Sequence, residues 1–575
     1  MKKSIVWSLA IALLATHLWA QAPTPMPTET AAGRTARVKE TQELLTEVIA
    51  TIPNLKLAEN KIHVRLSLAH LLWKKEPEQA RTLARETIES LQQLSKEFVP
   101  GEPQYQEQIE GYYQIRQGLL EVLLQHDMQL AREALRQTRL PTTPETETHK
   151  YQEQYAEASL VNQIAQKNPA MALQTMRELL AQGSSAEFTG SLHIFLHSDP
   201  TTAAEMANEL LKKVRATNTL NSMSAFSMAR GLLYAAAASA EIPGATKERP
   251  PLLSLNDQKQ LATQLLELGL ASVNTAERSE WQDAVLPNLQ GLLPQLEKLA
   301  PNKAAELKAK LPAPPPDQTV AQKISDDFTN LYNNGTVEQM VNAAHNAPKR
   351  FQSGLMKQAA SKAMYEGKME LAKQILSEHL TDPIQRKTAL AHLERYRFER
   401  LLNSETPEAA LAAFPAALSR EERLNLLFQA SSVFAEKGKQ QQARELLEEA
   451  ARLLSEMPPT RRKDEQLIRL ADEYQQLEVA RSFALLEPMV SRLNELTAAA
   501  ALLDQWQEEK AVRQGEWRMQ SSNVVTNMWQ NYAGTVSRLA KEDFARALAI
   551  ANRAERNELR LLVKLRLLQS LLPAT

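Results

Sequence analysis

A short pattern that returns along the chain limits the folds open to it. An alanine stands three residues after a proline in EPEQA (76–80), NPAMA (168–172), DPTTA (199–203) and TPEAA (406–410). Proline is favoured at the first position of a helix because its missing N–H has no partner there. Asn168, Asp199 and Thr406, which precede the proline, can accept hydrogen bonds from the first free N–H groups. The pattern therefore predicts a tight turn followed by a helix, many times over.

Further copies lack the proline but keep a small residue followed by bulky ones. They are LAREAL (130–135), LAKQIL (371–376), QARELL (442–447) and VARSFA (479–484). Two helices of a hairpin approach most closely where one side chain is only a methyl group, and bulky residues three and four positions on fill the groove beside it. We interpret the small residues as structural repeat positions: Ala80, Ala131, Ala172, Ala203, Ala372, Ala410, Ala443 and Ala480.

The spacing of these alanines predicts the architecture. Within the first half and within the second half of the chain, consecutive steps run between 31 and 41 residues, from Ala131 through Ala203 and from Ala372 through Ala480. Periods of this length are typical of stacked helical hairpins. Glycine is scarce, at 16 of 575 residues, and alternating runs rich in valine and isoleucine are missing. We therefore expect an all-α fold, an α-solenoid of stacked antiparallel hairpins.

One stretch resembles a known repeat family. Residues 427–450, LFQASSVFAEKGKQQQARELLEEA, resemble a tetratricopeptide (TPR) repeat, with Ser431 at the small position of the first helix, Gly438 in the turn and Ala443 at the small position of the second helix. Residues 356–383 resemble the same unit. The family's early tryptophan is missing. The resemblance implies a scaffold that binds a protein or peptide along a concave face, and it implies no chemistry.

The N-terminus predicts export. Lys2 and Lys3 precede an apolar run at 5–15, the order of a secretory signal peptide, and the run is short for a spanning helix. Cleavage after Ala20 fits the need for a small residue, and an uncleaved anchor is the alternative. The chain has no cysteine, so a lipoprotein is excluded. The phrase at 58–73 is similar to one in exported bacterial helical proteins of unassigned function. We expect a periplasmic or extracellular protein with no transmembrane segment after signal removal.

Composition divides the chain into five parts. A polar leader rich in proline and threonine follows the signal, and PAPPPDQ near the middle favours an extended, stiff spacer. The predicted parts are a signal peptide (1–20), a disordered leader (21–33), an N-terminal helical-repeat array (34–311), a Pro-rich linker (312–319) and a C-terminal TPR-like array (320–575).

Charge and motifs argue against several functions. The 67 Lys and Arg residues nearly balance the 68 Asp and Glu residues, and no basic stripe marks a nucleic-acid binder. No phosphate-binding loop or nucleophile elbow is present. The sequence predicts no cofactor, no catalytic residue and no enzyme activity.

Two histidines are weak candidates for a metal site. His193 and His197 stand four residues apart, the spacing that places two imidazoles on one helical face. A zinc protease motif would need glutamate where Ile194 stands. We favour two packed or surface histidines over a metal site, and predict no metal.

Aromatic residues crowd near the C-terminus, at Trp506, Trp517, Trp529 and Tyr532. They could form a platform for a partner or a glycan. A helix pair that seals the end of the array is the interpretation we favour, because terminal repeats must differ from the rest.

The sequence favours an exported, non-enzymatic scaffold that binds a protein or peptide partner in the cell envelope. The first helices of the hairpins would supply the contacts, through polar residues such as Gln358, Lys362, Asn425 and Gln429. Two alternatives stay open: a helical module of an envelope enzyme system, and a structural spacer without a specific ligand.

Overall fold

The computed structural model describes residues 31–572, apart from 100, 103–104, 141–149, 183–187, 217–222, 242–250, 275–279, 311–315, 405–406, 415–418, 507–509 and 522. These residues form 27 α-helices and one two-stranded sheet. The all-α prediction is confirmed. The predicted signal peptide and all but the last three residues of the leader lie outside the described residues, and the first helix begins at Ala31.

Fourteen helices precede residue 311. They are α1 (Ala31–Thr51), α2 (Ala58–Leu72), α3 (Pro77–Lys96), α4 (Tyr105–His126), α5 (Met128–Gln137), α6 (Lys150–Lys167), α7 (Pro169–Ala181), α8 (Thr189–Ser198), α9 (Pro200–Ala216), α10 (Met223–Glu241), α11 (Leu255–Asn274), α12 (Glu280–Gln290), α13 (Leu293–Leu299) and α14 (Pro301–Lys310). A 3₁₀ turn, Ile52–Asn54, joins α1 to α2.

Thirteen helices follow residue 315. They are α15 (Pro316–Asn334), α16 (Val337–Asn346), α17 (Lys349–Tyr365), α18 (Met369–His379), α19 (Pro383–Leu402), α20 (Glu408–Ala412), α21 (Arg420–Glu436), α22 (Gln440–Ser455), α23 (Arg461–Tyr474), α24 (Val479–Leu503), α25 (Val524–Leu539), α26 (Phe544–Asn552) and α27 (Asn557–Leu571). A 3₁₀ turn, Asp504–Trp506, ends α24. The strands β1 (Val512–Arg513) and β2 (Glu516–Trp517) pair antiparallel between α24 and α25.

The helices stack as hairpins. Within the N-terminal region α2 packs on α3, α4 on α5, α6 on α7 and α8 on α9. The first helices of these pairs also pack on one another, in the row α2, α4, α6, α8 and α10. Each hairpin therefore covers the apolar face of its neighbour, and the chain is an α-solenoid, as the repeat spacing predicts.

The turn inside several hairpins has a recurring geometry. At Asp127, φ is −145° and ψ is 88°, and Asn168 and Asp199 have nearly the same values. Each carboxylate or amide oxygen accepts a hydrogen bond from the N–H three residues later, as at Asp127 and Leu130 (3.1 Å). The cap carbonyl accepts from the N–H four residues later, which belongs to Ala131 in this case (3.0 Å). A short polar cap and a following alanine thus form one unit.

Most of the repeat alanines are fully buried. Seven have no exposed surface: Ala80, Ala131, Ala172, Ala203, Ala372, Ala410 and Ala443. Ala480 differs, because it is exposed. The cap of α24 is Glu478, and its carbonyl accepts from the N–H of Ser482, which has no exposed surface. Ser482 therefore occupies the small position in this hairpin, two residues later than the sequence pattern indicates.

Two hairpins use glycine in a longer turn. Gly367 and Gly438 have φ of 83° and 74°, a conformation that costs little only without a Cβ atom. The next residue, Lys368 or Lys439, donates its N–H to the carbonyl five residues back. These are the two units that resemble TPR repeats.

The buried apolar residues fall into three clusters. One covers residues 328–393 and a second covers 398–474. The largest joins residues 44–307 to residues 468–568, so α23 to α27 share a core with the N-terminal helices. The division into arrays at 34–311 and 320–575 stays a prediction. Residues 311–315 of the linker region lie outside the described residues, and α15 already begins at Pro316.

The two ends of the chain pack together. Helix α27 packs against α1 and α2, and it follows α25 in the row of first helices. That row therefore runs α21, α23, α25, α27 and then α2, where α27 and α1 form a hairpin assembled from both chain ends. None of the described helices is long and apolar enough to cross a membrane.

Candidate functional site

Two clefts open between first helices of consecutive hairpins. The α4–α6 cleft has a volume of about 300 Å³ and lies between Tyr113 and Gln114 on one side and Tyr155 and Ser159 on the other. The α17–α19 cleft has a volume of about 380 Å³. In both, apolar residues form the floor and polar residues the rim, which is the general character of ligand sites in proteins.

The floor of the α4–α6 cleft contains a neutralised cation. The Arg116 guanidinium is buried and donates to both carboxylate oxygens of Glu153 (2.7 and 2.9 Å). It also donates to the Thr138 hydroxyl (2.8 Å). The remaining charged residues on the lining are Glu110 and Glu121. The rim of this cleft is therefore acidic.

Burial keeps the aromatic hydroxyls of this region neutral. It raises the pKa of Tyr113 to about 12, and the Glu153 carboxylate adds to the shift. Burial also raises the pKa of Tyr112, whose hydroxyl donates to the Thr138 carbonyl (2.7 Å). Both hydroxyls stay protonated at neutral pH, so they can donate and accept hydrogen bonds in this region.

The α17–α19 cleft has a different rim. Its floor consists of Ala360, Met364, Leu376, Ala389 and Leu393. Its rim consists of Lys357, Ser361, Gln385, Thr388 and His392. The Lys357 ammonium donates to the side-chain oxygen of Gln385 (2.8 Å), which links α17 to α19. No carboxylate lines this cleft, so its rim carries positive charge.

The polar first-helix residues named from the sequence have mixed surroundings. Lys362 donates to the Tyr332 carbonyl and pairs with Glu366 (3.4 Å). Asn425 accepts from the Arg469 guanidinium (2.7 Å). Gln358 is exposed. Lys362 and Asn425 therefore already have partners within the protein, and they do not line either cleft.

A set of hydrogen bonds between Glu516 of β2 and the start of α2, which we call the joint, connects the N-terminal and C-terminal regions. The Glu516 carboxylate accepts from the backbone N–H groups of Lys56 and Leu57, where α2 begins, and from the side-chain amide of Asn60. Beside it, Arg518 pairs with Glu107 (2.5 Å). An anion at a helix N-terminus satisfies free N–H groups and the helix dipole together. Glu516 thus caps a helix that begins more than 400 residues earlier.

The aromatic cluster near the C-terminus is split by this joint. Trp517 lies in β2 and donates its indole N–H to the Thr526 hydroxyl (2.9 Å), while Trp529 in α25 donates to that of Thr497 (2.8 Å). Both indoles are buried, as is Tyr532, but Trp506 is 81% exposed. The three indoles do not share one helical face, because β1 and β2 interrupt the helix.

A third cavity, of about 350 Å³, lies at the joint. Arg513 and Arg518 face Glu59 and Glu107 across it, and Arg513 pairs with Glu59 (3.0 Å). These opposite charges compensate one another. The cavity is therefore part of the contact between the N-terminal helices and the segment around β1 and β2.

Among the described residues, no group of three or more His, Asp or Glu side chains is placed to hold a metal ion, and the weak candidate pair His193 and His197 stays a prediction. His193 is exposed on α8, and the side chain of His197 lies outside the described residues. His126 and His70 are hydrogen-bonded (3.2 Å), and the His126 ring stacks on Trp73 (5.1 Å between centroids). Burial lowers the pKa of His70 and of His126, which pack between α2 and α4.

Comparison with known proteins identifies no family for this chain. No family model and no curated protein matches the chain. Among solved structures it is similar to a protein described as a circular tandem repeat protein with novel repeat topology and enhanced subunit contact surfaces. The identity is 14%, the match covers 89% of this chain and 97% of that chain, and the TM-score is 0.16.

Proposed function

We propose that this chain is an exported, non-enzymatic scaffold that binds a protein or extended peptide in the cell envelope through clefts between its first helices. One observation carries the proposal. The α4–α6 and α17–α19 clefts occupy the same kind of place in two distant parts of the solenoid, each with an apolar floor and a polar rim. Successive first helices can hold an extended ligand through many weak contacts.

The chemistry of the clefts supports binding over catalysis. The buried cation of the α4–α6 cleft is paired, and the hydroxyl of Tyr113 is neutral because burial raises its pKa to about 12. The α17–α19 rim has hydroxyls, an amide, the Lys357 ammonium and the His392 imidazole, and no carboxylate. Such groups supply hydrogen bonds and charge for recognition.

Site-directed photo-crosslinking in the native envelope tests the proposal. A photoreactive residue replaces Gln114, exposed on the α4–α6 rim, or Gln385 on the α17–α19 rim. The matched control replaces Arg136, which is exposed on the second helix α5. We expect defined crosslinked species from a rim position and none from Arg136.

Different results support the alternatives. Equal crosslinking from all three positions, or none from any, would favour a spacer. Turnover of an envelope substrate by the purified protein would favour an enzyme system. N-terminal sequencing of the protein from the envelope fraction tests export, with Gln21 as the expected first residue.

A further inference from the structure

Positive charge is concentrated on the two helices that flank the α17–α19 cleft. Helices α17 and α19 together carry nine lysine and arginine residues and two glutamates, whereas the whole chain is almost neutral. Helix α17 has four of these cations and no acidic residue. The excess therefore belongs to one local part of the solenoid.

Several of these cations are available to a ligand. Within the described residues, Lys357 at the rim donates to an amide, Gln385, and not to a carboxylate. Lys387 and Arg397, which lie on α19 but not on the lining of the cleft, are exposed and form no ion pair with a described residue. Asp382 is close to Lys357, but its carboxylate caps α19 by accepting from the N–H groups of the first turn. The positive field of the rim is only partly compensated.

Apolar surface is exposed at the same place. Ile384, on the lining of the cleft, is 78% exposed, and Tyr365 at the end of α17 is 62% exposed. Tyr365 packs edge-on against Tyr396 of α19 (5.4 Å between centroids). Exposed large apolar side chains beside a concave floor mark interaction sites more often than isolated ones do.

The other cleft has the opposite charge. Glu110 and Glu121 line the α4–α6 cleft, and its single lining cation, Arg116, is buried in an ion pair. The difference between the two rims shows that positive charge is not a general property of first helices in this chain. It indicates that the two clefts select different ligands, since complementary charge sets partner choice.

We propose that the α17–α19 cleft binds an acidic segment of a protein partner. An apolar side chain of that segment would lie on the floor beside Ala389, and a flanking carboxylate would face Lys357. This rests on the proposed scaffold function. The narrow apolar floor and the short extent of the positive rim favour a peptide over nucleic acid, which requires neutralisation of many phosphates.

The test is selection of peptides on the intact mature chain, residues 21–575. A phage library of random dodecapeptides is selected on the wild type and counter-selected on the bare support. Enriched peptides are synthesised with a fluorescent label, and binding is followed by anisotropy. Two variants disturb the cleft: Lys357→Glu reverses the rim charge, and Ala389→Trp fills the floor. The control, Lys373→Glu, reverses an exposed charge on the second helix α18.

We expect enriched peptides to combine acidic residues with an apolar residue, and to bind about five- to fiftyfold more weakly to both cleft variants. The control should bind like the wild type, and added salt should weaken binding. Thermal unfolding of each variant verifies that the fold is intact. Enrichment of basic or neutral peptides, equal binding to Lys357→Glu, or no enrichment would overturn the proposal.

Two further measurements distinguish the acidic-segment inference from nucleic-acid binding and from failure of the scaffold function. A labelled oligothymidine that binds the wild type and not Lys357→Glu, without peptide binding, would assign the cleft to nucleic acid and overturn the proposal. If no acidic peptide is selected but crosslinking at Gln114 captures a partner, the acidic-segment inference fails and the scaffold function stands. If no acidic peptide is selected and crosslinking at Gln114 captures no partner, both the acidic-segment inference and the scaffold function fail.

Discussion

The carboxylate of Glu516 and the side-chain amide of Asn60 are 2.6 Å apart, although 456 residues separate them in the chain. Asn60 also donates to the Trp517 carbonyl (2.8 Å) and accepts from the Met519 N–H (2.9 Å). Its amide thus pairs with an extended segment as a neighbouring strand would. Because both polar groups are buried and satisfied, the pairing is specific to one register of the chain ends.

Replacement of Glu516 tests this joint. Glu516→Ala leaves the N–H groups of Lys56 and Leu57 and the Asn60 amide without an acceptor, and we expect a loss of ~2–4 kcal/mol in the free energy of unfolding. Hydrogen exchange should show lost protection in α1, α2 and α27. Glu542→Ala, at an exposed glutamate in the same region, is the control. Unchanged protection of α2 in Glu516→Ala would contradict the role of this carboxylate.

Cutting the chain tests the association of its ends. A protease site inserted between Lys310 and Pro316 divides the protein into two fragments. We expect the fragments to stay together in size-exclusion chromatography, because α23 to α27 share a core with the N-terminal helices. The Glu516→Ala background should weaken the complex. Separate elution of wild-type fragments would show that the joint is too weak to hold the ends.

The repeat positions can be tested with a matched pair. Ala443→Leu adds bulk where the side chain has no exposed surface, and we expect a loss of ~1–3 kcal/mol through overpacking. Ala480→Leu makes the same change at an exposed position and should stay within ~0.5 kcal/mol of the wild type. Urea unfolding of both variants gives the comparison. A similar cost at both positions would show that burial of the alanine is not what matters.

Acid should weaken the joint through His63. This imidazole contacts the Gln520 amide (2.9 Å), and burial, with a smaller effect from Arg566, lowers its pKa from 6.5 to about 4. Between these values the unfolded chain binds the proton and the folded chain does not, so stability falls as the pH falls through that window. His63 keeps part of its surface in contact with water, which reduces the effect of the pKa shift on stability. We therefore expect the free energy of unfolding to fall by ~1–2 kcal/mol over this pH window.

His63→Gln keeps a polar group beside Gln520 and removes the titration. Unfolding free energies of the wild type and the variant are measured from neutral pH down to the pKa of His63, about 4. The variant should lose less stability than the wild type over this range. Parallel pH profiles would exclude His63 as the source.

Local patterns were enough to predict the hairpins. The cap, the proline and the alanine all act within one turn of a helix, so they are visible in a short stretch such as NPAMA at 168–172. Ala480 shows the limit of this reasoning. Two small residues, Ala480 and Ser482, lie close together in α24, and only the position of the cap Glu478 decides which of them faces the neighbouring helix.

The joint and the clefts were not predictable in the same way. Nothing near Asn60 indicates that its partner is Glu516, because the two residues lie 456 positions apart in the sequence and meet only in the folded chain. The tryptophans were a partial signal, since Trp517 and Trp529 are buried at the joint, but β1 and β2 were missed. The positive charge of the α17–α19 cleft is not visible in the net charge of the sequence, because the chain as a whole is nearly neutral.

Helices α1 and α27 pack together although their contact between Lys564 and Glu47 joins residues 517 positions apart in the sequence. If α27 is removed, the apolar face of α1, which includes Leu44, Leu45 and Val48, loses the helix that packs against it. A chain clipped before Asn557 therefore presents this surface to proteases and chaperones, which recognise exposed apolar segments. Proteolytic loss of one helix is in this way expected to expose apolar residues in a part of the sequence that the protease never touched.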